Sequence, residues 1–550
     1  MTNLSVVKSD SDSDSKTKNK ALLKKIDSRS TNEIIIGFSG LIGSGISSMV
    51  KTFVKKFQKK GYDTKYLKLS VFLKDRYNTT RLEITDDYLE YKKLNENIEK
   101  LSYYERIISL QSIGNHLRDK FHTSILSQYA LNKIFNYRIG TDFPDKDIEE
   151  KLRAILEDAK DKNIKRVTFI DSIKHIDEYK LLRTVYNNMF YMIGILCPEK
   201  IRIKRIKNDY DIDYERLQLL IDRDKKEDID NGQQALKVLQ ESDIFLRSIS
   251  LDTSNESIER YVDLILGEPY IRPTIDEFGM FTAQAAARQS GCISRQVGAS
   301  IFSKDNDIIS TGCNDAPIFG GGHYANVSIV PDSKLQDNRC CSLGSDEKCK
   351  NTEQLDKILN DIKQIVKGEV GSIKDLDTDK LSDTIFKNTR IKSLIEFSKA
   401  VHAEMDAITT AARNGCNSLK GATLYSTTFP CHLCATNIIA TGITKVYYIE
   451  PYLKSLAVNL HEDQVNFDPK DIDPNHEDNI DKVLFLPFEG VAPKQYLNIF
   501  KSCNRKEENG TKIEYDIKKA IPALKQMMDS YTDYELAISN SFKDLIDKGE

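Results

Sequence analysis

A glycine-rich turn between an apolar run and an amphipathic stretch constrains the fold of this chain more than any other feature. Residues 33–38 (EIIIGF) form a short apolar run typical of a buried parallel strand, and the turn Gly40-Leu41-Ile42-Gly43-Ser44-Gly45 follows at once. From Ile46 onward, apolar residues recur at i, i+3, i+4, i+7, i+8 and i+11, which is one continuous helical stripe. Strand, turn and helix open a βαβ unit, so the sequence predicts an α/β domain on a parallel sheet.

Two more apolar runs extend this domain. Residues 165–171 (KRVTFID) and 190–196 (FYMIGIL) are typical of buried strands, and we predict one domain over 31–268. The segment from about 84 to 165 is charged, helix-compatible and poor in strand signals, which indicates a helical insertion. Residues 1–30 are mostly Ser, Asp, Lys and Asn, and we predict a disordered tail because they bury too little apolar surface to offset ordering.

A chain of 550 residues is too long for a single ordinary domain. The stretch 269–273 (PYIRP) is a plausible join, and the helix-compatible FTAQAAARQS that follows leads into VGASIF and DIISTG, which have the pattern of a hairpin. We predict a second domain over 274–505 that carries an inserted segment over about 318–398. Residues 506–550 are charged and helix-compatible, so we predict a C-terminal helical extension.

Composition narrows the functional classes. No apolar run approaches the roughly 18 to 20 residues that span a bilayer, and the first residues lack the apolar core of a secretory signal, so we expect a cytoplasmic protein with no membrane partner. Lys plus Arg number 80 against 83 Asp plus Glu, and a net charge of −3 disfavours duplex nucleic acid as a partner. Ten cysteines are too sparse for a disulfide scaffold, which favours metal ligands or core residues.

The strongest chemical signal is His402-Ala403-Glu404 followed by Pro430-Cys431-His432-Leu433-Cys434. One imidazole and two thiolates suit Zn²⁺, and three protein ligands leave a fourth position for water, which is typical of a catalytic site. Glu404 is a carboxylate that is not needed as a ligand, and a carboxylate beside such a water is suited to general base catalysis. The alternative is a closed structural site in which His432 is the fourth ligand.

Helix geometry sets a condition on this motif. Residues two apart on an ideal helix point about 200° apart, so His402 and Glu404 converge on one metal only if the helix begins near them. Pro430 suits the first turn of a second helix, whose N-terminus favours the thiolates of Cys431 and Cys434 about one turn apart.

These residues resemble a known family. H-x-E with P-C-x-x-C is the signature of zinc-dependent nucleobase deaminases, and the likeness to deoxycytidylate deaminases covers roughly residues 275–500. A P-loop domain ahead of such a deaminase, and the ending VLFLPFEGVAP at 483–493, are similar to the two-domain bacterial anti-phage dCTP/dCMP deaminases. The blocks that carry the likeness are 294–299 (SRQVGA), 311–314 (TGCN), 401–405 (VHAEM), 421–425 (GATLY) and 450–452 (EPY).

The resemblance implies a fold and a reaction. The fold is a P-loop kinase-like α/β domain followed by a cytidine-deaminase-like α/β/α sandwich. The reaction is the hydrolysis of dCTP and dCMP to dUTP and dUMP, in which Glu404 shuttles a proton to the departing amine and the nucleotide pool is depleted in anti-phage defence. Further implications are a substrate contact by Asn314, whose alternative is a turn residue, an inhibitory regulatory RNA as a candidate partner, and a homo-oligomer.

Residues 40–47 match the P-loop pattern G-x-x-x-x-G-K-[ST] at Gly40, Gly45 and Ser47, but Ile46 replaces the lysine. Backbone N–H groups of Gly43 and Ser44 and their neighbours can still cradle phosphate. We therefore predict that a regulatory first domain binds a purine or pyrimidine nucleoside triphosphate with Mg²⁺ without efficient hydrolysis. Asp171 at the end of its strand is the candidate Mg²⁺ partner, or else an ordinary turn acid.

Several alternatives stay open. Cys340, Cys341 and Cys349 with His323 are candidates for a second zinc site, and Arg202 with Arg205 resembles a phosphate clamp. The same zinc core serves enzymes that edit cytosine or adenine in nucleic acid, although this chain lacks an obvious basic groove. A non-catalytic nucleotide-sensing scaffold is the third possibility, suggested by the missing lysine.

Overall fold

A computed structural model describes most of the chain, and it divides into two compact units, residues 1–272 with 497–550 and residues 273–496. Among the described residues, no helix is both long and apolar enough to cross a membrane. The described residues are 30–79, 98–139, 165–225, 227, 230–249, 251–324, 339, 348–370, 376–394, 397–450, 455–466, 481–501, 504–516, 520, 522–524, 526–527 and 531–548.

The first unit alternates strands and helices. Its strands are β1 (Ser30–Thr31), β2 (Ile34–Gly40), β3 (Asp63–Lys68), β4 (Arg166–Asp171), β5 (Phe190–Leu196) and β6 (Ile244–Arg247). Its helices up to residue 272 are α1 (Ile46–Lys59), α2 (Leu69–Thr79), α3 (Tyr103–Lys120), α4 (Ile125–Ile139), α5 (Ile176–Tyr186), α6 (Glu199–Asp209), α7 (Tyr214–Lys225), α8 (Ala235–Gln240) and α9 (Leu251–Ile265), with 3-10 turns at Ile98–Lys100 and Asn187–Met189.

A parallel sheet in the order β6-β5-β2-β4-β3 forms the centre of this unit. Every residue of β2 is buried, and Phe53 and Phe57 of α1 pack against Phe38 and Phe169 of the sheet. The three predicted strands and the helix after the glycine turn are confirmed. Helices α3 and α4 lie within the segment predicted as a helical insertion.

The topology determines where a ligand of this unit would lie. From β2 the chain crosses to β3, two places away, returns to β4 beside β2, and then crosses to β5 on the other side. Because the direction of the crossovers reverses next to β2, the crevice outside its carboxyl end is the switch point where α/β sheets bind ligands. The glycine turn lies at that end of β2.

The second unit is also mixed α/β. Its strands are β7 (Gly298–Phe302), β8 (Ile308–Cys313), β9 (Thr423–Thr428), β10 (Lys445–Glu450), β11 (Val465–Asn466), β12 (Val483–Pro487) and β13 (Gly490–Val491). Its helices are α10 (Ile275–Ala287), α11 (Lys350–Val370), α12 (Thr378–Asn388), α13 (Ala403–Arg413), α14 (His432–Ala440) and α15 (Ala457–Leu460), with 3-10 turns at Arg390–Ser393 and Pro493–Gln495.

Six strands of this unit form a sheet in the order β11-β12-β10-β9-β7-β8. The pairs from β11 to β9 are parallel, and β7 runs antiparallel to both β8 and β9, so the predicted hairpin is confirmed. Ser300 Oγ donates to Gly279 O of α10 at 2.8 Å, and Ser310 Oγ donates to Ala407 O of α13 at 2.8 Å from the opposite face. Helices therefore cover both faces of the sheet.

The last elements of the chain are α16 (Tyr496–Ile499), β14 (Gln526–Met527) and α17 (Thr532–Lys548). Strands β1 and β14 pair antiparallel, and α17 packs on α4 within the first unit. Arg138 of α4 is buried between Glu33 and Glu535, with which it forms ion pairs. No local sequence signal indicated that the residues after 497 return to the first unit.

Candidate active site

Helix α13 begins where the metal motif requires. His402 is its N-cap, with an extended backbone at φ −71° and ψ 148°, and Glu404 lies in the first turn. Because His402 is not yet helical, the 200° separation of an ideal helix does not apply, and both side chains reach the same site.

The two cysteines lie at the start of helix α14, one at its N-cap and the other in its first turn. Cys431 is the N-cap, and its Sγ accepts a hydrogen bond from the N–H of Cys434 at 3.5 Å. The expectation that Pro430 lies in the first turn is therefore wrong. A sulfur in place of the usual capping oxygen takes the free N–H group, so the helix begins at His432 and Pro430 precedes the cap.

The three candidate ligands converge. His402 Nδ1 lies 3.3 Å from Cys431 Sγ and 3.4 Å from Cys434 Sγ. Zinc–nitrogen and zinc–sulfur bonds of about 2.0 and 2.3 Å place tetrahedral ligands roughly 3.6 Å apart, so the donor set fits Zn²⁺. Among the described residues His432 does not join this group, which leaves three ligands and disfavours a closed site.

Glu404 is buried beside this cluster, with 4 % of its surface exposed. Its Oε1 accepts a hydrogen bond from Ser426 of β9 at 3.2 Å, and its Oε2 lies 3.4 Å from Cys434 Sγ. Burial raises the pKa of Glu404 above that of an exposed carboxyl group, as is usual for groups that exchange protons near neutral pH. Ser426 could not be predicted as a site residue, since a serine in a strand gives no local signal.

The pKa values of the two thiols are shifted in opposite directions. Hydrogen bonds with Cys434 and then with His402 lower the pKa of Cys431 well below that of a free thiol. The same Cys431–Cys434 hydrogen bond, together with burial, raises the pKa of Cys434. A thiolate held next to an imidazole is the electrostatic setting that favours a metal cation.

A cavity of about 220 Å³ opens onto the cluster, and its lining includes His402, Glu404 and Cys431 together with Arg295 and Asn314. The side chain of Asn314 accepts from the N–H of Val297 at 2.6 Å and donates to Arg295 O at 2.7 Å. Asn314 therefore braces the 295–297 segment at the cavity, and within the described residues one N–H of its amide group is left for a ligand. Arg295 forms an ion pair with Glu450.

The structure describes two of the four candidate second zinc ligands, Cys349 and His323, and they have different neighbours. Cys340 and Cys341 lie outside the described residues, and Cys349 lines the cavity, where it accepts from Ser294 Oγ at 3.5 Å. His323 instead lies with Cys313 and Asp406, and its Nε2 is 2.7 Å from Asp406 Oδ2.

The glycine turn of the first unit contains two left-handed residues, and its segment Gly43–Gly45 is called the cradle below. Gly43 and Gly45 have φ of 80° and 81°, where other residues are strained, and Gly45 caps α1 without a side-chain hydrogen bond. Ser47 Oγ donates to Asp171 Oδ2 at 2.8 Å, and Lys68 Nζ donates to Ser47 Oγ at 3.2 Å. The structure thus brings Ser47 and Asp171 together, as a shared Mg²⁺ site requires.

Two lysines from outside the motif, Lys68 and Lys174, line the cavity at this turn, although Ile46 replaces the motif lysine. Lys174 Nζ donates to Gly40 O at 2.7 Å and to Asp224 Oδ1 at 2.8 Å. Nothing in the sequence indicates a role for either lysine, because neither stands in a recognisable motif.

The two arginines that resemble a phosphate clamp donate hydrogen bonds to backbone carbonyl groups. Arg202 donates to Ile42 O at 3.1 Å, and Arg205 donates to Ser248 O at 3.0 Å and to Ser248 Oγ at 2.9 Å. These contacts support the walls around the turn.

Comparison with known proteins decides the family. A profile of the cytidine and deoxycytidylate deaminase zinc-binding region matches residues 273–450, which include both parts of the metal motif. Deoxycytidylate deaminase of Enterobacteria phage T4 is 32% identical over 173 residues, which are 32% of this chain and 76% of the relative. The phage T2 enzyme is 31% identical over 173 residues and 78% of its length. The chain belongs to the cytidine and deoxycytidylate deaminase family.

Family membership makes this chain a zinc-dependent deaminase, in agreement with the His402, Cys431 and Cys434 cluster. Deoxycytidylate deaminase of Saccharomyces cerevisiae is 27% identical over 184 residues, which are 40% of that relative. A solved structure of dCMP deaminase from cyanophage S-TIM5 in complex with dCMP and dUMP aligns with a TM-score of 0.21 and 19% identity. That alignment covers 35% of this chain and 94% of the cyanophage enzyme.

Proposed function

We propose that the second unit deaminates deoxycytidine nucleotides, dCMP and dCTP, by hydrolysis. The observation that carries this proposal is the convergence of His402, Cys431 and Cys434 beside the buried Glu404, in the wall of a cavity. Deoxycytidylate deaminases among the relatives support the choice of nucleotide.

Each residue of the site has its own role in this proposal. His402, Cys431 and Cys434 would hold zinc, which when bound supplies Lewis acidity that activates water. Glu404 takes a proton from the attacking water at its carboxylate and passes it to the 4-amino nitrogen of cytosine, which leaves as ammonia. Ser426 donates to Glu404 Oε1 and so fixes the carboxylate for both transfers. Asn314 and Arg295 line the same cavity, in which a nucleotide would be held.

The direct test is to incubate the purified full chain with dCMP, with dCTP and with a cytosine-containing single-stranded oligonucleotide, and to follow ammonia release. We expect turnover of the free nucleotides and none of the oligonucleotide. Turnover of the oligonucleotide alone would indicate an editing enzyme, and binding without turnover of any substrate would indicate a scaffold.

We also propose that the first unit binds a nucleoside triphosphate with Mg²⁺ and regulates the deaminase. The cradle at Gly43–Gly45 and the contact between Ser47 and Asp171 support this role. Adding ATP, GTP or dCTP with Mg²⁺ should change the rate of dCMP deamination with little phosphate release. An unchanged rate with every nucleotide would contradict regulation.

We further propose that this enzyme acts in the cytoplasm as a homo-oligomer, that it depletes deoxycytidine nucleotides during phage infection, and that a regulatory RNA restrains it. The order of the glycine turn and the deaminase motif along the chain supports these roles through the resemblance described above. Protection of cells by the intact chain, but not by a Glu404→Gln variant, is the expected outcome of a phage challenge.

A further inference from the structure

The cavity of the first unit extends well beyond the glycine turn. Its volume is about 370 Å³, within the range of pockets that hold small organic ligands. The turn and Lys68 contribute to its lining, and Leu73, Ile107 and Leu110 add apolar side chains to the wall. A phosphate alone would leave this apolar part unused.

A buried amide group belongs to the wall of this cavity. Gln111 of α3 lines the cavity with 7 % of its surface exposed, and its Oε1 has no hydrogen-bond partner within the part of the chain that the structure describes. A buried carbonyl oxygen without a partner costs about 1–3 kcal/mol. The site therefore favours a ligand that brings an N–H donor into an otherwise apolar slot.

A second unpaired group lies at the cradle. Ser44 Oγ is 1 % exposed and also lacks a hydrogen-bond partner among the described residues. Polar groups without partners thus occur both at the turn and on α3. A ligand could pair with both groups if it carried oxygen acceptors for Ser44 Oγ and a flat, largely apolar moiety with an N–H donor for Gln111 Oε1.

We propose that the first unit binds one nucleotide along this cavity, with its phosphates at the glycine turn and Lys68 and its base in the slot, donating a hydrogen bond to Gln111 Oε1. This inference rests on the proposed nucleotide site at the turn and adds the residue that recognises the base. Lys68 supplies charge that Ile46 does not, because its Nζ lies 3.2 Å from Ser47 Oγ at the start of α1.

The test measures binding to the full chain carrying Glu404→Ala, so that no substrate is consumed. Titration calorimetry with dAMP, dCMP, dGMP, TMP, their triphosphates and inorganic pyrophosphate compares this parent with Gln111→Leu and Lys68→Ala. We expect Gln111→Leu to weaken the preferred nucleotide roughly tenfold or more while pyrophosphate binding is unchanged. Lys68→Ala should weaken both ligands.

Gln128→Leu is the matched control, because Gln128 of α4 also carries an unpaired Oε1 within the described residues but does not line the cavity. It should bind nucleotides like the parent. Gln111→Asn, which shortens the side chain while keeping the amide, gives the same comparison if the leucine variant does not fold. Equal nucleotide affinity of the Gln111 variants and the parent overturns the base contact, as does the absence of any nucleotide binding outside the deaminase site.

The outcomes separate this inference from the proposed function. If the unmodified chain did not turn over dCMP, the proposed deamination would be contradicted. The comparison of nucleotide binding between the Gln111 variants and the parent would still be valid. Loss of both ligands in Lys68→Ala without an effect of Gln111→Leu would support the phosphate site and overturn base recognition by Gln111.

Discussion

His402 and Glu404 stand only two positions apart, and the start of a helix between them brings both side chains to one site. A helix that began one turn earlier would turn Glu404 away from the metal ligands. The two residues also differ in exposure, since Glu404 is buried and His402 is partly exposed. At this scale, function depends on where a helix begins.

Replacing Glu404 by Gln should lower the rate of dCMP deamination by roughly 10²–10⁴-fold, because the amide cannot accept the proton of water. Zinc content should stay unchanged, since Glu404 is not in the ligand group. Ammonia release and metal analysis check the two parts. Glu462→Gln, at an exposed position away from the site, is the control, and loss of zinc in Glu404→Gln would contradict the assigned role.

His323 predicts a pH dependence of stability. Its hydrogen bonds with Asp406 and then Cys313 raise the pKa of His323 to about 10. A raised pKa means that this stabilisation is fully present below the unfolded-state pKa of about 6.5 and is lost as pH rises towards 10. The thermal midpoint of the parent should therefore fall more than that of His323→Gln between pH 6.5 and 10. If the thermal midpoints of the two proteins changed equally with pH, the His323–Asp406 pair would contribute nothing to stability.

Close contact between a helix and a strand shapes the deaminase unit at the scale of elements. A Cβ placed on Gly298 of β7 would lie 2.0 Å from Ala283 O and 2.4 Å from Ala287 N, both backbone atoms of α10. Only glycine allows α10 to approach the sheet this closely. That approach determines the position of β7, which pairs with β9, the strand that carries Ser426.

Gly298→Ala should destabilise the second unit by roughly 2 kcal/mol or more, because backbone atoms cannot move aside as a flexible side chain can. Gly368→Ala is the matched control. Gly368 lies inside α11 with nothing within 4 Å of an added Cβ, so the same change there should be neutral or stabilise by about 0.5–1 kcal/mol. Thermal and denaturant unfolding measure both, and equal effects would contradict the packing argument.

At the scale of the whole molecule, a helix that follows the deaminase unit in the sequence packs within the first unit. Helix α17 covers α4, Glu535 forms an ion pair with the buried Arg138, and Asn132 Nδ2 donates to Ser539 Oγ at 2.6 Å. Tyr531 and Phe542 join the apolar core of the first unit. The unit therefore depends on a segment that follows the deaminase unit in the sequence.

A fragment of residues 1–272 should consequently be less stable than the same fragment produced together with residues 497–550. Without α17, Arg138 and Glu33 lose Glu535 from their buried cluster, and removing one partner of a buried charge network costs several kcal/mol. Solubility and the thermal midpoint of the two preparations provide the measurement. Equal stability would show that the C-terminal segment is dispensable for this unit.

The sequence by itself determined the parallel sheet around β2, the hairpin of β7 and β8, and the zinc ligands as a set. These features are local, because periodicity, turn residues and ligand types are written within a few tens of positions. Only the tertiary structure decided which distant groups complete them, namely Ser426 at Glu404, Lys68 and Lys174 at the glycine turn, and α17 on α4. Those contacts arise from packing between elements far apart in the chain, for which a single sequence carries no periodic signal.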